Sequence, residues 1–77
     1  MKNIIVYVKT GCPWCIGVTN LLKEKGVKFE ERNVTENKAF MDEMVQKSGQ
    51  SKAPTLDIDG HILADSDKEQ VAAYLKL

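Results

Sequence analysis

The sequence predicts an α/β domain with the order β-α-β-α-β-β-α, in which a four-stranded mixed sheet carries helices on both faces. Two observations lead to this prediction. The hydrophobic pattern switches along the chain between the two-residue period of strands and the 3.6-residue period of helices. A helix separates the first two strands, so these should be parallel, whereas a tight turn makes the last two antiparallel. We expect one domain over residues 1–77, because this length suffices for one small core.

The first strand and the first helix meet at a short polar break. Residues 3–8 are rich in β-branched side chains and indicate a buried strand. The pattern changes after residues 9–11, and apolar side chains then recur at helical spacing from Pro13 until Gly26. Proline suits the first helical position, because its missing N–H costs nothing there.

The next two elements are a strand and a helix. Residues 27–33 alternate between apolar and charged side chains, which we interpret as an edge strand. Either Thr35 or Asn37 can cap the helix that follows, before a loop at residues 48–51. The apolar stripe of this helix consists of Phe40, Met41, Met44 and Val45.

A hairpin and a third helix complete the chain. The Asp-Gly pair at residues 59–60 is a strong turn signal between strands at residues 55–59 and 61–64. Ser66 and Glu69 then fit a capping box, in which Ser66 caps the last helix and Glu69 reaches back to it.

The charge balance excludes several classes of function. Eleven Lys and Arg residues match eleven Asp and Glu residues, so bulk charge gives no reason to bind nucleic acid or a membrane surface.

No apolar run approaches the roughly 18 residues of a membrane span. The run at residues 4–8 is short and no small-residue cleavage site follows it, so it is not a signal peptide. We expect a cytoplasmic monomer.

The concentrated chemical signal is the motif Cys12-Pro13-Trp14-Cys15. A bridge between these cysteines would close a tiny loop and remove little entropy from the unfolded chain, so it is no structural staple. Cys12 falls at the start of the first helix, where free N–H groups and the helix dipole stabilise a thiolate, and Lys9 adds a cation nearby. Cys15 lies one turn deeper. This arrangement suits one attacking and one resolving cysteine.

Three interpretations of the cysteine pair remain open. A redox-active dithiol is favoured, because C-x-x-C beside a βαβ pattern is typical of such sites. A metal or iron–sulfur module is the second. It is disfavoured because zinc usually takes four ligands and the single histidine, His61, is distant in sequence. Two ordinary buried cysteines are the third, although an intervening Pro-Trp pair is unusual packing for a core.

The chain resembles the glutaredoxins of the thioredoxin superfamily over nearly its whole length. Residues 6–15 resemble the strand, loop and active-site stretch of the family, which usually has Tyr where this chain has Trp14. The Ala53-Pro54 pair matches a Val-Pro whose proline is cis and faces the active-site disulfide. Residues 58–61 match the final hairpin, and residues 64–67 lie where the family often has Gly-Gly, a small residue and Asp. The resemblance implies a thioredoxin-like fold.

The resemblance also implies thiol–disulfide exchange, with glutathione as the reductant, disulfide-containing proteins as partners and no bound cofactor or metal. Cys12 would be the nucleophile and Cys15 the resolving thiol. The residues that would contact glutathione are Lys9, Trp14, Ala53, Pro54, Ser66 and Asp67.

Most of these implied contacts have an ordinary structural alternative. Lys9 would meet the glycine carboxylate of glutathione, or it is a solvated loop lysine. Trp14 would flank the tripeptide, or it only shields the sulfur pair. Ala53 would offer backbone hydrogen bonds, like an added strand. Ser66 and Asp67 would hold the γ-glutamyl end, through backbone N–H groups and a carboxylate, or they serve only the start of the last helix.

Two departures from the family pattern concern recognition of glutathione. Asp65 replaces a glycine and adds a negative charge near an anionic ligand, whereas Lys52 offers a cation where many glutaredoxins carry Arg or Thr. An alternative function keeps the chemistry but changes the reductant. Small glutaredoxin-like proteins that serve ribonucleotide reductase are reduced by thioredoxin reductase, although their distinctive C-terminal stretch is absent here.

Overall fold

The computed structural model describes residues 3–77 and confirms the predicted order of elements. Met1 and Lys2, which the predicted domain includes, lie outside the described residues. The elements are β1 (Ile4–Val8), α1 (Pro13–Glu24), β2 (Glu30–Asn33), α2 (Lys38–Ser48), β3 (Thr55–Ile58), β4 (His61–Leu63) and α3 (Lys68–Leu75).

The four strands form one mixed sheet in the order β2-β1-β3-β4. Strand β1 is central: it pairs in parallel with β2, with Val8 opposite Asn33, and antiparallel with β3, with Val6 opposite Leu56. The second strand is therefore an edge strand, as predicted. Because β1 ends at Val8, the chain leaves the middle of the sheet just before Cys12.

Helices cover both faces of the sheet, as predicted. On one face, Val18 and Leu22 of α1 and Val71 of α3 pack against β1 and β3 in a fully buried cluster. On the other face, Met44 of α2 packs against Tyr7. Apolar burial of this kind is the main favourable contribution to folding. Helix α1 is thus held on one face of β1, with its first turn beside the end of that strand.

The last helix is capped one residue later than predicted. Asp67, and not Ser66, is the N-cap: its Oδ1 accepts the N–H of Gln70 at 2.9 Å, and the Gln70 side chain accepts the Asp67 N–H at 3.0 Å. The sequence contains two overlapping capping boxes, and Asp caps as well as Ser. The later one forms because the N–H of Ser66 donates instead to the carbonyl of Pro54.

The second strand is shorter than predicted, since it begins at Glu30 and not at Val27. The N–H of Val27 donates to the carbonyl of Leu22 at 2.8 Å, so this residue completes the end of α1. Of the two candidate caps for α2, Asn37 is the one that acts: its side chain accepts the N–H of Ala39.

The predicted hairpin turn is present. Ile58 pairs with His61 across a two-residue loop, in which both Asp59 and Gly60 have positive φ. Positive φ at both loop residues matches the right-handed twist of the flanking strands, which is why Asp-Gly is a strong signal.

A buried tyrosine joins β1 to α2 through charged partners. The Tyr7 hydroxyl donates to Glu43 at 2.5 Å and accepts a hydrogen bond from Lys47 at 2.8 Å, while Arg32 also pairs with Glu43. The hydrogen bond from Tyr7 lowers the pKa of Glu43, chiefly because it favours the charged carboxylate.

Replacing Tyr7 by phenylalanine is expected to lower the free energy of unfolding by about 0.5–1.5 kcal/mol, because the ring stays buried while the hydroxyl contacts are lost. Since the folded-state pKa of Glu43 is lowered, this stabilisation is present above the ordinary carboxyl pKa and is lost as the pH falls through the lowered one. Urea unfolding at neutral and acidic pH measures both effects. An equal loss at both pH values would contradict the role of Glu43.

Candidate active site

Cys12 is the N-cap of helix α1. Its backbone is extended, and its Sγ accepts the N–H of Cys15 at 3.2 Å, while its carbonyl accepts the N–H of Ile16. Pro13 occupies the first helical position, as predicted. The N–H of Cys15 thus points at the sulfur, which lies at the positive end of the helix dipole. The site therefore suits a sulfur that carries negative charge.

Cys15 occupies a different environment. It is only 3% exposed and belongs to the apolar cluster between α1 and the sheet, whereas Cys12 is half-buried; both are free thiols. Burial, followed by the hydrogen bond with Cys12, raises the pKa of Cys15 to about 12. Cys15 is therefore a neutral thiol at neutral pH, and the two cysteines are chemically unequal.

A second loop lies against the cysteines. The Ala53–Pro54 peptide bond is cis, as the resemblance implies, and Pro54 is buried. The hydroxyl of Thr55 donates to the carbonyl of Lys52 at 2.8 Å, and the N–H of Ser66 donates to the carbonyl of Pro54 at 3.0 Å. The first bond closes the loop on itself, and the second ties it to the segment that precedes α3.

These segments enclose a cavity of about 610 Å³ beside Cys12. All of the predicted site residues except Cys15 line it, and Cys15 is buried in the apolar cluster between α1 and the sheet. Their side chains come from the loop after β1, the first turn of α1, the cis-proline loop and the start of α3. The lining residues predicted from the sequence are Lys9, Cys12, Trp14, Ala53, Pro54, Ser66 and Asp67.

The start of α3 differs from the expectation that its backbone N–H groups are available to a ligand. The N–H of Ser66 is bonded to Pro54 and that of Asp67 to Gln70, so both groups have partners within the protein. Ser66 is also buried, with 5% of its surface exposed. Asp67 lines the cavity, and one oxygen of its carboxylate is engaged as the cap of α3.

Some lining residues were not singled out from the sequence as site residues. Thr10 and Gly11 form the loop between β1 and Cys12, and the loop is held because Thr10 N–H donates to Thr35 Oγ1 at 3.2 Å. Gly11 has a φ of +73°, which glycine adopts without strain. A glycine directly before the motif was the available signal for this turn. Lys52 and Asp65, noted only as departures from the family, also line the cavity.

Two features are absent from the part of the chain that the structure describes: a cluster of metal ligands and a membrane-spanning helix. Within residues 3–77, no three or more His, Cys, Asp or Glu side chains converge as metal ligands would. Across the same residues, none of the helices has the length and apolar character needed to cross a membrane.

Several known proteins are similar to this chain in sequence and in fold. The family model of glutaredoxin matches residues 4–63. Glutaredoxin 3 of Escherichia coli (strain K12) is 36% identical over 67 residues, which cover 87% of this chain and 81% of that protein. The family match covers β1, the cysteine motif and the cis-proline loop, and it ends before Asp65, Ser66 and Asp67.

Solved structures agree with the sequence comparison. The thioredoxin-like protein BC3987 superposes with a TM-score of 0.84 and 30% identity, over 92% of this chain and 97% of that one. A buckwheat glutaredoxin–glutathione complex has the same fold, with a TM-score of 0.75 and 20% identity, over 97% of this chain and 69% of that one. The predicted thioredoxin-like fold is confirmed. The chain therefore belongs to the glutaredoxin family of thiol–disulfide oxidoreductases.

Proposed function

We propose that this protein reduces protein disulfides and glutathione mixed disulfides, with glutathione as its reductant. The observation that carries the proposal is the unequal pair of cysteines at one cavity. Cys12 lines a space large enough for a tripeptide, whereas Cys15, one turn further along α1, is buried as a neutral thiol. An accessible nucleophile backed by a protonated partner is what sequential thiol–disulfide exchange requires.

The proposed cycle uses the two cysteines in order. The Cys12 thiolate attacks a target disulfide, and one target sulfur leaves as a thiolate that takes a proton from water. Cys15 then attacks Cys12 Sγ while its proton passes to the departing sulfur, which releases the second target thiol and leaves a Cys12–Cys15 disulfide. Two glutathione molecules reduce this disulfide and leave as one molecule of oxidised glutathione, so two electrons pass from glutathione to the target.

The cavity offers a complementary group for each part of glutathione. Lys9 is a cation for the glycine carboxylate, and Trp14 presents an indole that is 67% exposed beside Cys12. Ala53 also lines the cavity, and its backbone groups are the ones to which an extended peptide could add hydrogen bonds, while Pro54 lines the cavity beside it. The Asp67 carboxylate suits the ammonium of the γ-glutamyl group. The buckwheat glutaredoxin with this fold is a glutathione complex, which supports the proposal.

A coupled assay tests the reductant. The assay mixture contains the reduced chain, a glutathione mixed disulfide, glutathione, glutathione reductase and NADPH. The oxidation of NADPH is followed by the loss of its absorbance. We expect turnover that depends on both the chain and glutathione. Activity with thioredoxin reductase in place of glutathione would instead establish the alternative reductant. A cytoplasmic location suits the proposal, because glutathione keeps that compartment reducing.

The contact proposed for Lys9 is tested by its amide replacement. Lys9→Gln is expected to raise KM for glutathione about three- to tenfold with little change in kcat, since it removes one charge-assisted contact to the bound tripeptide. Steady-state kinetics measure both constants. Lys28→Gln, at an exposed lysine that follows the far end of α1, is the matched control and should behave like the parent chain. Equal KM values for both variants would remove Lys9 from the binding site.

A further inference from the structure

The rim of the active-site cavity carries an ion pair between Lys52 and Asp65. Lys52 Nζ and Asp65 Oδ2 are 4.0 Å apart, and both residues line the cavity that contains Cys12. The two side chains are 69% and 51% exposed. Ion pairs this exposed contribute little to folding, because water screens them and the side chains lose entropy. Stability of the fold therefore gives little reason for the pair.

The backbone at Asp65 is also less favourable than glycine would make it. Its φ is +50°, in the left-handed region where a side chain is crowded. A glycine would adopt this conformation without that cost. Asp65 therefore keeps a charged side chain at the cavity in a position where glycine would suit the backbone better.

The charges that line the cavity indicate a role for Asp65. Lys9 and Lys52 are basic and Asp65 and Asp67 are acidic, so the formal charges of the lining cancel. Glutathione carries two carboxylates and one ammonium group at neutral pH, and is a net anion. Without Asp65 the lining would be net positive and complementary to that anion. With Asp65, an arriving carboxylate meets a Lys52 that already has a counter-charge.

We propose that Asp65 is a specificity-determining residue, which lowers the preference of the site for net-anionic thiols and lets zwitterionic thiols such as cysteine compete with glutathione. The inference rests on the proposed function, because it concerns the same site and the same exchange. The step is unchanged: the Cys12 thiolate attacks one sulfur of a small disulfide, and the other sulfur leaves as a thiolate and takes a proton from water.

Three small disulfides of different charge test this proposal. The reduced chain is mixed with oxidised glutathione, which is anionic, with cystine, which is neutral, or with cystamine, which is cationic. Quenched alkylation and intact mass give the rate of the first exchange. In Asp65→Asn we expect the glutathione rate to rise about three- to fivefold, the cystine rate to stay within about twofold, and the cystamine rate to fall.

A matched control removes the same charge elsewhere. Asp59 also has a positive φ, +51°, but lies at the hairpin beside Asn3, at the opposite end of β1 from Cys12. Asp59→Asn should leave all three rates unchanged. Lys52→Gln should shift the rates in the direction opposite to Asp65→Asn. At about 1 M salt, where the Debye length is about 3 Å, the gain of Asp65→Asn should disappear.

An unchanged ratio of the glutathione rate to the cystamine rate in Asp65→Asn would overturn the inference, as would an equal gain for all three disulfides. Asp65→Gly, which suits the positive φ, gives a second variant with the same expected order. The rates of this first exchange are measured without glutathione reductase, so they do not depend on the coupled assay. Failure of the proposed function would appear separately, as no turnover in the coupled assay while the charge ratio still responds to position 65.

Discussion

Replacing Cys12 by serine is expected to abolish thiol–disulfide exchange, with a loss of at least about a thousandfold in kcat/KM, because a serine hydroxyl is not ionised at neutral pH and cannot form the mixed disulfide. Cys15 cannot take over, since it is 3% exposed and its pKa is raised to about 12. Reduction of a glutathione mixed disulfide and of a protein disulfide should both be lost. The coupled assay and a protein-disulfide assay measure the two activities.

Cys15→Ser is the control for this variant, and it should separate the two reactions. The first attack and the reaction with glutathione need only Cys12, so turnover of glutathione mixed disulfides should persist. Reduction of protein disulfides by the dithiol route should fall sharply, because nothing resolves the mixed disulfide at Cys12. If Cys12→Ser retained dithiol activity, or if Cys15→Ser lost both activities, the assigned roles would be wrong.

The two thiols are also expected to differ strongly in their reaction with an alkylating agent. Burial raises the pKa of Cys15 to about 12, so this sulfur is almost entirely protonated at neutral pH, and its burial hinders the reagent further. Iodoacetamide should therefore label Cys12 at least about a hundredfold faster than Cys15 in the folded, reduced chain. Mass spectrometry of the digested protein at successive times gives both rates.

The pH dependence of labelling has a definite sign. Burial raises the pKa of Cys15, so its thiolate fraction should grow roughly tenfold with each pH unit up to that pKa. Labelling in urea supplies the control, because unfolding removes the burial and should bring the two rates close together. Similar rates in the folded chain would contradict the proposed division into nucleophile and resolving thiol.

Local sequence signals predicted where the cysteine motif lies in the fold, because short-range geometry determines that position. The N-cap position of Cys12 follows from a strand that ends at Val8 and a proline at the first helical position. The spacing of the cysteines then places Cys15 one turn further along α1. The hairpin was equally local, since Asp59 and Gly60 specify the turn by themselves.

Tertiary contacts decided what the sequence predicted wrongly or left open. Two capping boxes overlapped at the start of α3, and the choice of Asp67 as cap goes with the hydrogen bond from Ser66 to Pro54, across a sequence separation that no local pattern covers. The pairing of Lys52 with Asp65 likewise depends on two distant loops meeting at the cavity. Their residue types were visible in the sequence, but their proximity was not.

The central claim is that Cys12 forms the mixed disulfide with glutathione and Cys15 then resolves it. The most direct test mixes the reduced chain with one equivalent of oxidised glutathione, quenches with an alkylating agent at successive times, and locates every modification by mass spectrometry. We expect a glutathionyl group on Cys12 first, followed by a Cys12–Cys15 disulfide as that group is released. A glutathionyl group that appears first on Cys15, or a protein disulfide that never forms, would contradict the account.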